Sequence, residues 1–165
     1  MISMGVLEAG VSDRQRDFEA AVRQHSGGLF AMAYSILRDR HAADDAVQET
    51  AEQAWRGWDS LRDPGRRGAW MRQICVRRCL RQRRGARLAD DLEAAVSPFP
   101  EVARDLAIDA AFQRLSPKQR AVVALHYRHG YGLDECAELM GCAPGTARSH
   151  LARALASLRK ELSDD

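Results

Sequence analysis

The sequence predicts an all-α protein built from two small helical domains joined by a linker. Three observations carry this. No segment of the 165 residues shows the strict alternation of a half-buried strand, whereas apolar residues recur at spacings of three and four. Proline, glycine and capping residues fall at the ends of those periodic stretches. A charge reversal around Ser97-Pro98-Phe99-Pro100 divides the chain into modules at 13–85 and 106–165, with a flexible tail at 1–12 and a flexible linker at 86–105.

In the first module, Phe18, Val22, His25, Leu29, Ala33 and Ile36 mark one helix. Gly27 and Gly28 interrupt its composition; each costs about 1 kcal/mol against alanine, so a kink or a close helix contact is expected there. A second helix runs from about Ala42 to Trp58, burying Ala43, Val47, Thr50/Ala51, Ala54 and Trp58. Its other face carries Asp44, Asp45, Gln48, Glu49 and Glu52. A third begins near Ala69, where Trp70, Met71, Ile74, Cys75 and Cys79 alternate with arginines.

The second module opens on Leu115-Ser116-Pro117-Lys118-Gln119, with Ser116 as N-cap, Pro117 at the first helical position and Gln119 closing a capping box. That helix is expected to continue to His129 and stop at Gly130. Gly132 then caps a helix with Asp134 and Glu135 in its first turn. Gly141 ends it, and Pro144 starts the last helix, whose stripe is Ala147, Leu151, Ala154, Leu155, Leu158 and Leu162. The pair forms a helix-turn-helix, with Arg148, Ser149, His150, Arg153, Arg159 and Lys160 directed outward. An amphipathic hairpin that merely closes a bundle would share this pattern, so the rest of the chain has to decide.

The net charge of +2 conceals a strong segregation. Between Arg62 and Arg87 stand ten arginines and one acid, Asp63, a local charge of +9. Arginines this dense repel one another unless an anion lies among them, and a polyphosphate backbone is the commonest such anion. The next stretch reverses sign, with Asp90, Asp91, Glu93, Glu101 and Asp105 against Arg104.

Other classes fit poorly. No apolar run approaches the roughly 18 residues needed to span a bilayer, and the N-terminus lacks a basic segment followed by an apolar core, so a cytoplasmic protein without membrane insertion is expected. Cys75, Cys79, Cys136 and Cys142 read as buried thiols. His126, His129, Cys136 and Cys142 share one segment, but their spacing matches no zinc template, and no metal or cofactor is expected. No phosphate-cradling glycine loop, nucleophilic triad or carboxylate pair can be assembled, so the chain does not read as an enzyme.

Several motifs carry a family resemblance. His41-Ala-Ala-Asp-Asp-Ala-Val-Gln-Glu-Thr, followed by Ala54-Trp55, is similar to the DAEDLVQE pattern of sigma region two. Trp70-Met71 with Ile74-Cys75 is similar to its WL-x-x-IA continuation. Leu115-Ser-Pro-Lys-Gln-Arg-Ala-Val-Val, Glu135-Cys-Ala-Glu-Leu-Met-Gly and Gly145-Thr-Ala-Arg-Ser-His-Leu-Ala-Arg-Ala resemble region four. Their order and spacing resemble an extracytoplasmic-function (ECF) sigma factor, of group IV in the sigma-70 family, over nearly the whole chain.

The resemblance implies a transcription initiation factor that binds core RNA polymerase and recognises promoter −10 and −35 elements. Asp44, Asp45, Gln48 and Glu49 would dock on the polymerase largest subunit; an acidic face repels phosphate, which agrees. Arg66, Arg67, Trp70, Arg77, Arg78 and Arg81 would meet the −10 element and its melted non-template strand. Trp70 offers a stacking face, although a tryptophan at a helix start is more often core. Thr146, Arg148, Ser149, His150 and Arg153 would read the duplex −35 element, with Thr146 on a phosphate. Five positions depart from the family pattern: Arg77 stands where asparagine is usual, Arg81 where aspartate is common, His150 where arginine is frequent, Ala143 where a capping serine is usual, and Cys136 where a branched aliphatic is usual. The resemblance also implies an anti-sigma protein as regulator. The alternative is a stand-alone regulator using only the helix-turn-helix, which leaves the acidic helix and its arginine-rich neighbour without a use.

Overall fold

The computed structural model describes residues 4–81 and 106–163. The expected linker at 86–105 and the arginines at 83, 84 and 87 lie outside them. Among the described residues seven α-helices follow in order: α1 (Met4–Leu37), α2 (Arg40–Gly57), α3 (Arg67–Arg81), α4 (Leu106–Arg114), α5 (Pro117–Val123), α6 (Leu133–Met140) and α7 (Pro144–Ser163). The backbone of 4–12, the segment expected to be a tail, continues α1. Among the described residues there is no strand.

Helices α1, α2 and α3 pack against one another through Leu29, Ala33, Ile36, Ala43, Thr50, Ala54, Met71, Ile74 and Cys75, all buried. Ala46 completes the α2 stripe, while Val47 is only half-buried. Asp39 caps α2, its Oδ1 accepting the Ala42 N–H at 2.8 Å. The close contact anticipated at Gly27 and Gly28 is absent: both are exposed, and a Cβ on either would meet nothing within 4 Å. The intimate approach lies instead at Gly68, where a Cβ would come within 2.7 Å of the His25 ring. There α1 and α3 nearly touch, and only the missing side chain permits it.

In the second module the capping box at Ser116 and Gln119 forms as expected: Ser116 Oγ accepts from the Gln119 N–H at 3.3 Å and Gln119 Oε1 from the Ser116 N–H at 3.0 Å. The helix that follows does not stay α-helical to His129. It passes into a π-helical turn, Ala124–Arg128, closed by the His129 N–H on the Ala124 carbonyl. Helix α4, ahead of the capping box, adds Ala111 to the core, and Leu115, just past its end, is buried too. Gly141 adopts φ 71°, ending α6 in the left-handed conformation that favours glycine. The α7 stripe is buried at Ala147, Leu151 and Ala154, but Leu162 is 44% exposed, because the helix end outruns its neighbours.

The modules are packed together. α3 lies against α6, α1 and α3 lie against α5, and one apolar cluster runs from Leu29 and Met32 through Cys75 and Val76 to Val122, Leu125 and Met140. Among the described residues, four polar contacts bridge them. Arg38 pairs with Asp109 at 2.8 Å; Ser35 Oγ, itself donating to the Met32 carbonyl, lies 3.1 Å from His129 Nε2; and Gln73 and Arg77 both reach the Glu138 carbonyl.

Candidate nucleic-acid interface

The acidic face on α2 forms as the periodicity requires. Asp44, Asp45, Gln48 and Glu49 are all exposed, on the side opposite Ala43, Ala46 and Thr50. Glu49 differs from the others because Arg78 of α3 approaches it at 3.3 Å while hydrogen-bonding Gln53 Oε1 at 3.0 and 3.2 Å. Arg78 thereby ties α3 to α2.

The segment between α2 and α3 is a braced loop. Trp58 is buried at its start in a short 3₁₀ turn, Trp58–Ser60, and packs edge-on against Phe18. Arg14 stacks over Trp55 at 3.9 Å and holds Asp59 at 2.9 Å. A second 3₁₀ turn, Pro64–Arg66, is capped by Asp63, whose carboxylate accepts the Gly65 N–H at 2.9 Å. Arg66 then projects from the loop, fully exposed. Its neighbour Arg67 turns inward, forming a two-point ion pair with Asp17 and lying over the Trp58 ring at 4.4 Å. The two arginines that look equivalent in sequence occupy opposite environments.

Along α3, Trp70, Gln73, Arg77, Arg78 and Arg81 line a shallow groove of about 120 Å³ together with Gln53. The Trp70 ring is half-buried and lies so close to Gly57 that a Cβ there would come within 3.1 Å of it, so it is wedged against the end of α2. This is the packing role the sequence favoured, with part of the ring still facing the groove. Arg81 is exposed; Arg77 lies against α6.

The helix-turn-helix presents Thr146, Arg148, Ser149 and Arg153 to solvent, with His150 half-buried among them. Arg148 pairs with Asp134 of α6 at 2.9 Å, which fixes the angle of its side chain across the turn. Ala143 contributes only its backbone carbonyl, which accepts from Thr146 and Ala147 at 3.0 and 3.1 Å. The His150 imidazole is held below its usual pKa by burial first, then by Lys118 and Arg153. Lys118, exposed in the first turn of α5, thus adds to the positive charge felt at His150, an influence the periodicity of α7 alone could not reveal.

Of the histidines and cysteines flanking the turn, His126 and Cys136 both reach the Tyr131 carbonyl, at 2.7 and 3.8 Å. His126 donates through Nδ1, and His129 faces Ser35. Cys136 is buried, its thiol pushed up to about 11 chiefly by that burial. Cys75 and Cys79 are buried in the α3 core; hydrogen bonding from Cys79, then Thr50, lowers the first thiol, while the second is raised by the same pairing and by burial. No described helix is long and apolar enough to cross a membrane.

Comparison with known proteins agrees with this geometry in both modules. Residues 21–88 match the family model "Sigma-70 region 2", and residues 105–158 match "Sigma-70, region 4". The ECF RNA polymerase sigma factor SigM of Mycobacterium tuberculosis is 31% identical over 162 residues, covering 95% of this chain and 83% of SigM. The RNA polymerase sigma-E factor of Streptomyces coelicolor is 29% identical over 155 residues, covering 88% of this chain and 86% of that protein. Among solved structures, the sigma factor RpoE in complex with the anti-sigma factor NepR from Bartonella quintana superposes with a TM-score of 0.67 at 28% identity, covering 91% of this chain and 99% of that one. CnrH in complex with the cytosolic domain of CnrY gives 0.62 at 28% identity, covering 92% and 90%. A stand-alone helix-turn-helix regulator would leave the region 2 match at 21–88 without explanation. With both modules matched by sigma-70 family models and SigM 31% identical over nearly the whole length, the chain belongs to the ECF RNA polymerase sigma factors.

Proposed function

We propose that this chain binds core RNA polymerase through α2 and selects promoters with two DNA surfaces, one on each module. The observation that carries the reading is the opposition of charge within the first module. α2 exposes Asp44 and Asp45 with no basic partner among the described residues, whereas the loop and α3 beside it carry Arg66, Arg77 and Arg81. Phosphate is repelled by the first surface and attracted by the second, so a protein partner and a nucleic acid can be held side by side.

Arg66 and Arg81, both exposed, hold phosphates of the melted −10 strand in this reading. The part of Trp70 that faces the groove offers an unstacked base a surface. Arg153, Ser149 and His150 are placed to address base edges of the −35 duplex, while Thr146 and Lys118 serve phosphates. Neutral His150 brings one donor and one acceptor in place of a guanidinium fork, so its preferred base differs from that of an arginine. Arg67 serves the fold of the loop and Arg78 the α2–α3 contact; both support the surface from within. The chain contributes binding and strand separation, and covalent chemistry belongs to the polymerase. The sigma factor RpoE, of similar fold, was solved with the anti-sigma factor NepR, which supports an external regulator here too.

Run-off transcription with core polymerase on a promoter library tests the reading. Enrichment of templates sharing two elements at fixed spacing is the expected result. Sequence-independent transcription, or none above core alone, would overturn it.

A further inference from the structure

The basic face of α3 has a partner inside the molecule. A helix C-terminus leaves its last carbonyls without intrahelical donors and carries the negative end of the helix dipole. At the end of α6, the Glu138 carbonyl is one of these. It accepts from Gln73 Nε2 and from Arg77 Nη2, each at 3.2 Å, as well as from the Gly141 N–H at 3.2 Å. Gly141 makes the approach possible in two ways. Its φ of 71° ends the helix, and a Cβ there would stand 3.0 Å from Arg77 Nε, inside the space the guanidinium occupies.

We propose that the C-terminal end of α6 is a built-in stand-in for a strand phosphate. In the free chain it engages Arg77 and Gln73, two residues that line the α3 groove, so that closure of the two modules and capture of the melted strand compete for the same cation. This rests on the reading that α3 takes the strand. Arg77 is the residue at which the sequence departs from the asparagine of similar proteins, and the closed structure gives that departure a use. A guanidinium extends far enough to reach the other module and can serve a carbonyl or a phosphate. The contact is built to release: Arg77 Nε is buried without an acceptor, so the carbonyl end satisfies the guanidinium only in part. A phosphate, with three or more acceptor lone pairs and a full charge, satisfies it better. Arg38–Asp109 and Ser35–His129 lie elsewhere on the same module boundary and give the closed state a defined register.

The full chain, in the absence of polymerase, is the material for the test. Small-angle scattering of the unmodified protein should give a compact particle, with a radius of gyration of about 15 Å for the folded body. Arg77→Glu sets a carboxylate against the carbonyl end and should expand the particle while the helical circular dichroism persists. Gln73→Glu, at a partly exposed position, should do the same and covers the case in which the first variant folds poorly. Gln73→Ala removes one closing hydrogen bond but keeps every charge on α3. It should tighten binding of a single-stranded deoxyoligonucleotide about three- to tenfold. Scattering curves of both glutamate variants that superpose on the unmodified protein's would overturn the closure. Expansion in those variants with no gain in strand affinity for Gln73→Ala would overturn the competition. If the unmodified chain, alone or on core polymerase, binds no single strand at all, the strand reading of α3 fails instead, whatever the scattering shows.

Discussion

Asp17 and Arg67, fifty residues apart in sequence, meet in a two-point ion pair with oxygens 2.9 and 2.6 Å from the guanidinium nitrogens. The same guanidinium lies over the buried Trp58 ring, so a charge pair and an aromatic face are satisfied by one side chain. Its neighbour Arg66 has neither. The loop between α2 and α3 is thus pinned at one end by Arg67 and left to display Arg66 at its tip.

Arg67→Ala should therefore lower unfolding stability by about 1–2 kcal/mol, because it removes a bidentate pair whose carboxylate is half-exposed and a cation–aromatic contact. Arg66→Ala should stay within about 0.5 kcal/mol of the unmodified protein. Urea denaturation of both variants checks this. A larger loss for Arg66→Ala than for Arg67→Ala would reverse the roles assigned here.

On α2, the carboxylates nearest the helix start are the ones on which the proposed polymerase contact rests. Asp44 and Asp45 are exposed and unpaired among the described residues, whereas Glu49 is partly engaged with Arg78. Asp44→Lys with Asp45→Lys should abolish co-elution with core polymerase in size-exclusion chromatography and leave helical content unchanged. Undiminished co-elution would place the polymerase contact on another face.

Helix existence, order and punctuation were legible in the residues, because capping boxes, prolines and a three-four repeat are local signals. Ser116, Gln119 and Gly141 do what such residues do anywhere. The packing between modules was not legible. Nothing in the α3 repeat says that Arg77 meets a carbonyl of α6, since that contact depends on how two surfaces far apart in sequence are brought together. The difference between Arg66 and Arg67 was hidden for the same reason: Asp17 sits on α1, and no spacing rule links it to either arginine. Helix α4 is short and stood beside a strong helix start that drew the reading to Ser116. The π-helical turn at Ala124–Arg128 has the same residue pattern as an α-helix of that length, so only the backbone reveals it.

Acidification should destabilise the closed chain. His129 is held below the ordinary imidazole value of 6.5 by burial, then by Arg128; His150 is lowered by burial, Lys118 and Arg153. A base whose folded pKa is depressed is neutral in both states above 6.5, and its contribution is then constant. As pH falls below that value the unfolded chain takes up protons that the folded chain refuses, so stability drops. Carboxylates remain ionised over most of this window. Urea midpoints should decline from about pH 7.5 to about pH 5.5, and His129→Gln should flatten part of the decline. A midpoint that rises on acidification would contradict the sign.

The two DNA surfaces should fail in separable ways. Arg153 is exposed on α7 beside His150, where a side chain entering the major groove reaches base edges. Arg153→Ala should cost about 1–3 kcal/mol on a matched −35 element and relax selection at that base pair. Lys118 is exposed at the start of α5, and the proposed reading gives it a phosphate contact. Lys118→Ala should then weaken all duplexes alike and reduce the slope of log affinity against log salt by about 1. The same reading has Arg66 act in the other module, after the duplex has been found. Arg66→Ala should leave −35 affinity unchanged and reduce permanganate reactivity of thymines in the −10 region when the holoenzyme meets a linear promoter. On a promoter carrying a pre-melted bubble the strand is already separated, so transcription by Arg66→Ala should recover while the Arg153→Ala defect persists. Recovery of both variants on the bubble, or of neither, would mean that the recognition and opening steps are not divided between α7 and the loop before α3.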